Sequence, residues 1–165
     1  MKKIGTLILL ALLAGCAAKT DEQLYSNAVE AQKASDQDEA LETYEELLVK
    51  YPQSPRVPEA LYAMGTIHQD HKKQFTQAIA TYQKLVDGYP DHATAPNALF
   101  LIGFINNNEL KNSEAARAAY ESFLQKYPGS SLVNSAQFEL QHLGKDPAQI
   151  LEEQTTPRAQ RGKGK

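Results

Sequence analysis

The sequence predicts an all-α protein in which helix pairs stack into an open array. The pair Tyr-Pro occurs three times at a spacing of 38 residues, at Tyr51, Tyr89 and Tyr127. Apolar residues recur every three or four positions, and no useful stretch shows the alternation of a half-buried strand. A fixed period of about 20–50 residues is typical of units that bury their apolar faces against their neighbours. We therefore predict a solenoid of three helix pairs and a closing helix over residues 21–143.

Residues 1–15 are predicted to be an export signal. Two lysines near the start precede an apolar run, and small residues lead to Cys16. This apolar run is too short to span a bilayer as a mature helix. Residues 16–20 would form a tether that reaches less than about 20 Å.

The first repeat unit is predicted over residues 21–54. Its first helix begins near Asp21 and matches the repeat weakly, as terminal units do. Its second helix is expected to start near Asp36, which has capping-box spacing with Glu39. That helix must end at Tyr51, because the residue before a proline is disfavoured in the α region.

The next units are predicted at residues 55–92 and 93–130, and the closing helix at 131–143. Pro58 and Pro96 fall in the first turns of the leading helices, where a missing N–H costs little. These prolines therefore mark helix starts that the period alone would leave imprecise.

Two further features complete the predicted elements. Gly65 and Gly103 share one position of the repeat, where the lack of a Cβ would let a neighbouring helix approach closely. Residues 144–165 are expected to form a short helix or loop, through Ile150 and Leu151, and then a disordered basic tail.

Charge is distributed unevenly along the chain. The formal net charge is −3, from 17 basic and 20 acidic residues. Six of the basic residues lie in the signal and in the tail 157–165, so the remaining 11 face 20 acidic residues, a balance of −9. An acidic body on an exported chain disfavours nucleic-acid binding. The basic tail is read either as a solubilising end or as a contact with anionic lipid or an acidic partner.

The second unit resembles the tetratricopeptide repeat. The residues that carry this resemblance are Leu61, Met64, Gly65, His68, Ala78, Tyr82, Leu85 and Pro90. The family usually has a Trp-like residue at Leu61 and a Tyr-like one at His68, and its usual unit is shorter. The longer unit with Tyr-Pro resembles BamD-like outer-membrane assembly lipoproteins and periplasmic CpoB-type proteins.

The residues Leu13-Ala14-Gly15-Cys16 resemble the bacterial lipoprotein signature. The resemblance implies cleavage after Gly15, lipidation of Cys16 and, because Ala17 follows, sorting to the outer membrane. The alternative is an ordinary secreted protein with an unpaired cysteine. As Cys16 is the only cysteine, no internal disulfide is possible.

In the repeat family, the first helix of each pair lines a concave face that binds protein segments. By position, the resemblance places on this face Tyr62, Thr66, Gln69, Asp70, Asn97, Phe100, Phe104, Asn107, Asn108, Phe138 and His142. Aromatic anchors supply burial and amides satisfy a peptide backbone. The alternative is that Tyr62, Phe100 and Phe138 only pack between helices. Phe104 favours a site, because its equivalents are Thr66 and His142 and no common packing rule requires an aromatic residue there.

No catalytic constellation is found. The chain has no glycine-rich phosphate loop and no metalloprotease helix motif, and we assign no catalytic residue, cofactor or small-molecule substrate. His68, Asp70 and His71 have a spacing that can share a metal, but such a group on an exposed helix end more often forms a solvated polar face.

These features favour a non-catalytic interaction scaffold, lipid-anchored in the outer membrane and facing the periplasm, that takes part in envelope or outer-membrane-protein assembly. One alternative is a pilotin-like chaperone that escorts a secretin or pilus subunit. Others are a periplasmic division or envelope coordinator, and a metal-dependent enzyme or metal store at His68 and His71.

Overall fold

The computed structural model describes residues 18–145 and 148–151. The predicted signal 1–15, the predicted lipidation site Cys16 and the basic tail 157–165 lie outside the described residues. Within the described part the protein is all-helical, as predicted. The α-helices are α1 (Asp21–Lys33), α2 (Gln37–Lys50), α3 (Val57–Thr66), α4 (Phe75–Gly88), α5 (Ala95–Asn108), α6 (Ser113–Lys126) and α7 (Val133–His142). A π-helical turn, Ile67–His71, continues α3, and residues 148–151 are also helical.

The helices stack in chain order, each against the next. The second helix of every pair contributes a fully buried tyrosine, namely Tyr44, Tyr82 or Tyr120. The core consists of two clusters, one around α1 and α2 and the other running from α4 to α7. Helix α3 supplies residues to both clusters, so the core is extended along the array rather than closed into one centre.

The leading helices begin at Val57, Ala95 and Val133, two residues after the starts of the predicted segments at 55, 93 and 131. Each is preceded by a hydrogen-bonded turn, in which Val57 N–H donates to the Ser54 carbonyl and Ala95 N–H donates to the His92 carbonyl. The start of α7 has the same arrangement. The prolines lie within the first turns of α3 and α5, as predicted.

The two repeated glycines lie against the buried tyrosines. A Cβ built on Gly103 would come within 2.7 Å of the Tyr120 ring, and one on Gly65 would overlap the Tyr82 ring still more closely. Both rings are fully buried. The predicted close approach is therefore present within each of these pairs.

The tyrosines of the Tyr-Pro pairs end the second helices, as predicted, and they also link successive units. The Tyr127 hydroxyl donates to the Pro90 carbonyl at 3.0 Å, and the Tyr89 hydroxyl to the Pro52 carbonyl at 3.4 Å. In the first unit the Tyr51 hydroxyl donates to the Lys19 carbonyl at 2.7 Å. This ladder of hydrogen bonds runs along one edge of the array and was not predicted from the sequence.

Side chains cap the amino-terminal ends of α1, α2 and α6. Asp36 accepts a hydrogen bond from the Glu39 N–H at 3.1 Å, whereas the complete capping box is formed by Thr20 and Gln23 at the start of α1. Three equivalent residues after the leading helices, Ser35, Lys73 and Lys111, have φ between 54° and 65°. A left-handed residue at this place ends a helix and turns the chain back on itself.

Within the described residues, no helix combines the length and apolar character needed to cross a bilayer.

Candidate binding site

A pocket of about 530 Å³ lies at the carboxyl-terminal end of the array. It is bounded by the end of α5, the start of α6, helix α7 and the chain that follows α7. The lining residues are Asn107, Asn108, Lys111, Ser113, Phe138, Glu139, His142, Gly144, Lys145 and Ile150. This volume is in the range of about 300–1,000 Å³ that is usual for small ligands, and it also suits one or two side chains of a bound peptide.

Phe138 and His142 form an aromatic wall one turn apart on α7. Their ring centroids are 4.2 Å apart, and Phe138 remains 42% exposed. His142 Nδ1 lies 2.7 Å from the Phe138 carbonyl oxygen, which can only accept, so Nδ1 carries the proton. In the neutral ring, Nε2 is therefore an acceptor for a donor from outside the helix.

The end of α5 supplies amides. Asn106 is buried and its amide donates to the Ile102 carbonyl at 2.8 Å, so it serves the helix itself. The next two residues, Asn107 and Asn108, line the pocket, and the Asn108 amide also donates to the Phe104 carbonyl at 3.1 Å. A second hydrogen and the amide oxygen of Asn108 are left for a peptide backbone.

Two titratable groups near the pocket, the Glu139 carboxyl and the Tyr120 phenol, are partly or fully buried. Burial raises the pKa of the Glu139 carboxyl, and the nearby His142 offsets this in part. Burial, with a smaller contribution from the Glu139 charge, raises the pKa of the Tyr120 phenol. The Tyr120 hydroxyl is buried without a hydrogen-bond partner among the described residues. Such an atom is uncommon in folded proteins.

The third repeat thus differs from the first two at its tyrosine. The Tyr44 hydroxyl donates to Gln32 at 2.6 Å, and the Tyr82 hydroxyl lies 3.3 Å from both Thr66 and Gln69. In the third unit the position of Thr66 is taken by Phe104, which has no polar side-chain atom. The break in the repeat therefore removes a hydrogen-bond partner beside the pocket.

The structure divides the sequence-predicted groove residues into two groups. Asn107, Asn108, Phe138 and His142 come together in the pocket. The remaining members do not line the pocket; Asp70 and Asn97 are exposed, whereas Tyr62, Phe100, Thr66 and Gln69 contact the buried tyrosines. The Tyr62 ring is 5.8 Å from Tyr82, and the Phe100 ring is 5.4 Å from Tyr120. Thr66 and Gln69 face the Tyr82 hydroxyl, and Phe104 is half-buried on α5.

Several lining residues were not predicted. Lys111 repeats Lys73 of the preceding unit, and a residue that follows the repeat gives no sign of a binding role. Ser113 begins α6, and Lys145 lies beyond the last repeated position. Glu139 follows Phe138 directly, and the only signal for it was its place beside an aromatic residue. These positions become neighbours only because α7 packs against α6, which in turn packs against α5.

The histidines considered as metal ligands lie at the π-helical turn. His68 Nδ1 is 2.9 Å from the Gln74 side-chain oxygen, which orients its ring. Among the described residues, no group of three or more His, Cys, Asp or Glu side chains has the arrangement of a metal site.

The chain is similar to known proteins at the level of one solved structure and one family model. A solved tetratricopeptide repeat protein from Parabacteroides merdae ATCC 43184 is similar at 16% sequence identity and a TM-score of 0.42. The similarity covers 74% of this chain and 59% of the solved chain. No match was found among curated proteins. The family model described as YfiO, outer membrane lipoprotein, matches residues 17–150. Because this match covers most of the sequence, the chain belongs to the YfiO family of outer membrane lipoproteins.

Proposed function

We propose that this protein is a non-catalytic scaffold that binds another envelope protein through the pocket at the end of its array. Lipidation of Cys16 would hold it in the outer membrane with the array in the periplasm. Membership of an outer membrane lipoprotein family supports the anchor. The role that fits best is in the assembly of envelope or outer-membrane proteins.

The observation that carries this proposal is the exposure of Phe138. The aromatic residues at the same position of the second and third units, Tyr62 and Phe100, are half-buried and stack on core tyrosines. Phe138 stacks on His142 instead and is 42% exposed beside two asparagines. An exposed ring with amides around it suits an apolar side chain of a partner and the peptide bonds on either side of it.

Capture of partners by the lipidated protein in crosslinked envelopes tests the proposal. The wild-type protein is expected to recover at least one periplasmic or outer-membrane protein. Phe138→Ala should reduce the recovery at least about tenfold, because truncation of a central aromatic anchor commonly costs about 2 kcal/mol. Leu110→Ala is the matched control, since Leu110 is also 42% exposed and lies nearby but outside the pocket lining.

Two results would contradict the proposal. One is that the native lipoprotein captures no envelope protein. The other is that Phe138→Ala and Leu110→Ala capture partners as well as the wild type does. A Cys16→Ser variant separates the scaffold from the pilotin-like chaperone: only the chaperone predicts that a single client multimer fails to reach the outer membrane.

A further inference from the structure

We infer that one corner of the array rests on the phospholipid surface and fixes the orientation of the protein on the membrane. This anchor corner consists of Lys19, Val49, Lys50, Pro52 and Gln53, all exposed. The inference rests on the proposed lipidation of Cys16. It adds which surface of the protein faces the lipid and why that surface cannot rotate away.

Few residues separate Cys16 from the array. The Tyr51 hydroxyl donates to the Lys19 carbonyl at 2.7 Å, which fixes the position of Lys19. Only residues 17 and 18 therefore separate Cys16 from a fixed backbone position, half of the tether expected from the sequence. Three extended residue steps reach about 10 Å, so an acylated Cys16 at the lipid interface keeps the anchor corner within that distance.

Several contacts join α1 to the turn that follows α2. The Ser54 hydroxyl donates to the Asp21 carboxylate at 2.6 Å, and this bond is the main cause of a lowered pKa at Asp21. Arg56 binds both oxygens of Glu22, at 2.7 and 3.0 Å, and its guanidinium lies over the Tyr25 ring at 5.1 Å. Because α1 is joined in this way to the turn after α2, it cannot swing away from the array.

The anchor corner combines an exposed apolar side chain with two lysines. Val49, in the last turn of α2, is 81% exposed, the largest exposed fraction among the large apolar side chains of the described residues. Lys19 and Lys50 belong to the same corner, and Lys50 also pairs with Glu46. An apolar side chain flanked by lysines, whose stems can extend toward headgroup phosphates, suits an interface between water and phospholipid.

The anchor corner lies at one end of α1 and α2, and its contact with the bilayer sets how these two helices are oriented on the membrane. Helices α1 and α2 are antiparallel neighbours, so the turn that joins them lies at the opposite edge of the array from the anchor corner. A helix of 14 residues is about 21 Å long. Ala34, exposed in that turn, is therefore expected to lie well above the bilayer while Val49 touches it.

Fluorescence quenching on vesicles tests this orientation. Lipidated, processed Val49→Cys and Ala34→Cys proteins, each labelled at the new cysteine, are reconstituted into phosphatidylethanolamine and phosphatidylglycerol vesicles. The sulfur of Cys16 carries the lipid in these proteins, so labelling is specific. Nitroxide-labelled phospholipids should quench the probe at position 49 several-fold more than the probe at position 34.

Equal quenching at the two positions, or stronger quenching at position 34, would overturn the inference. A probe at position 49 that is shielded from water yet not quenched would also overturn it, since a second copy or another protein would then cover the corner. Flotation of the same samples reports the anchor separately: protein that does not float with vesicles contradicts the lipidation on which the proposed function depends.

Discussion

At the scale of single residues, Gly65 and Gly103 allow the leading helix of a pair to lie directly on a buried tyrosine ring. Alanine at Gly65 would place a methyl group closer to the buried Tyr82 ring than van der Waals contact allows, so the helix or the ring must shift. Overpacking of this kind costs about 1–3 kcal/mol, and the better helix propensity of alanine returns up to about 1 kcal/mol. We expect Gly65→Ala and Gly103→Ala each to lower the free energy of unfolding by about 1–2 kcal/mol in urea titrations.

Gly88 is the matched control for this prediction. It is the last residue of α4, and a Cβ built on it meets no atom within 4 Å. Gly88→Ala should therefore leave stability unchanged or raise it by up to about 1 kcal/mol. If all three alanine variants were equally stable, the close approach of helix and tyrosine would not constrain the fold.

Glu139 gives the stability a specific dependence on pH. Its pKa is raised above the ordinary value of 4.5, chiefly by burial, so the folded state binds the proton more tightly than the unfolded state does. The contribution of Glu139 is then most favourable below pH 4.5 and is lost as the pH rises through the folded pKa. We expect Glu139→Gln to melt at a higher temperature than the wild type at pH 7.

Thermal unfolding followed by circular dichroism at several pH values checks this. The gain from Glu139→Gln should shrink as the pH falls, and should be absent well below pH 4.5. Glu121, exposed on α6, provides the control, since Glu121→Gln should change little at any pH. A gain that stays constant between pH 4 and pH 7 would show that ionisation of Glu139 is not its cause.

At the scale of elements, the Tyr-Pro turn is both the end of a helix and a link between units. The position of Pro52, Pro90 and Pro128 was enough to predict where the second helices end, because the rule concerns neighbouring residues only. The hydrogen bonds of Tyr89 and Tyr127 span 37 residues and depend on how the units stack. No local pattern contains that information, although the exact repetition of tyrosine beside proline was the visible sign of it.

We predict that removing these hydroxyls weakens the array in proportion to the bonds they make. Tyr127→Phe loses a bond of 3.0 Å and should cost about 1 kcal/mol, whereas Tyr89→Phe loses one of 3.4 Å and should cost less. Denaturant unfolding of the two variants measures the difference. If Tyr89→Phe were the more damaging variant, the length of the bond would not determine its contribution. If neither variant changed the stability, the ladder would contribute nothing to holding the units together.

At the scale of the whole molecule, the period predicted the all-α array of helix pairs and the order in which they stack. It predicted the candidate site only in part. Asn107, Asn108 and Phe138 were correctly placed on the leading helices, and they meet in the pocket. Tyr62 and Phe100 occupy equivalent positions but contact the core, because the second helix of each pair places a buried tyrosine, Tyr82 or Tyr120, against them. What sets Phe138 apart is its place at the end of the array, where fewer helices cover it.

The central claim is that an envelope protein binds at this end of the array. Site-specific photo-crosslinking in living cells tests it most directly, with a photoreactive phenylalanine analogue in place of Phe138 and, as a control, in place of Lys84, exposed on α4. The account predicts a discrete crosslinked product with an envelope protein from position 138 and none from position 84. The absence of any product at position 138, or the same product from both positions, would contradict it.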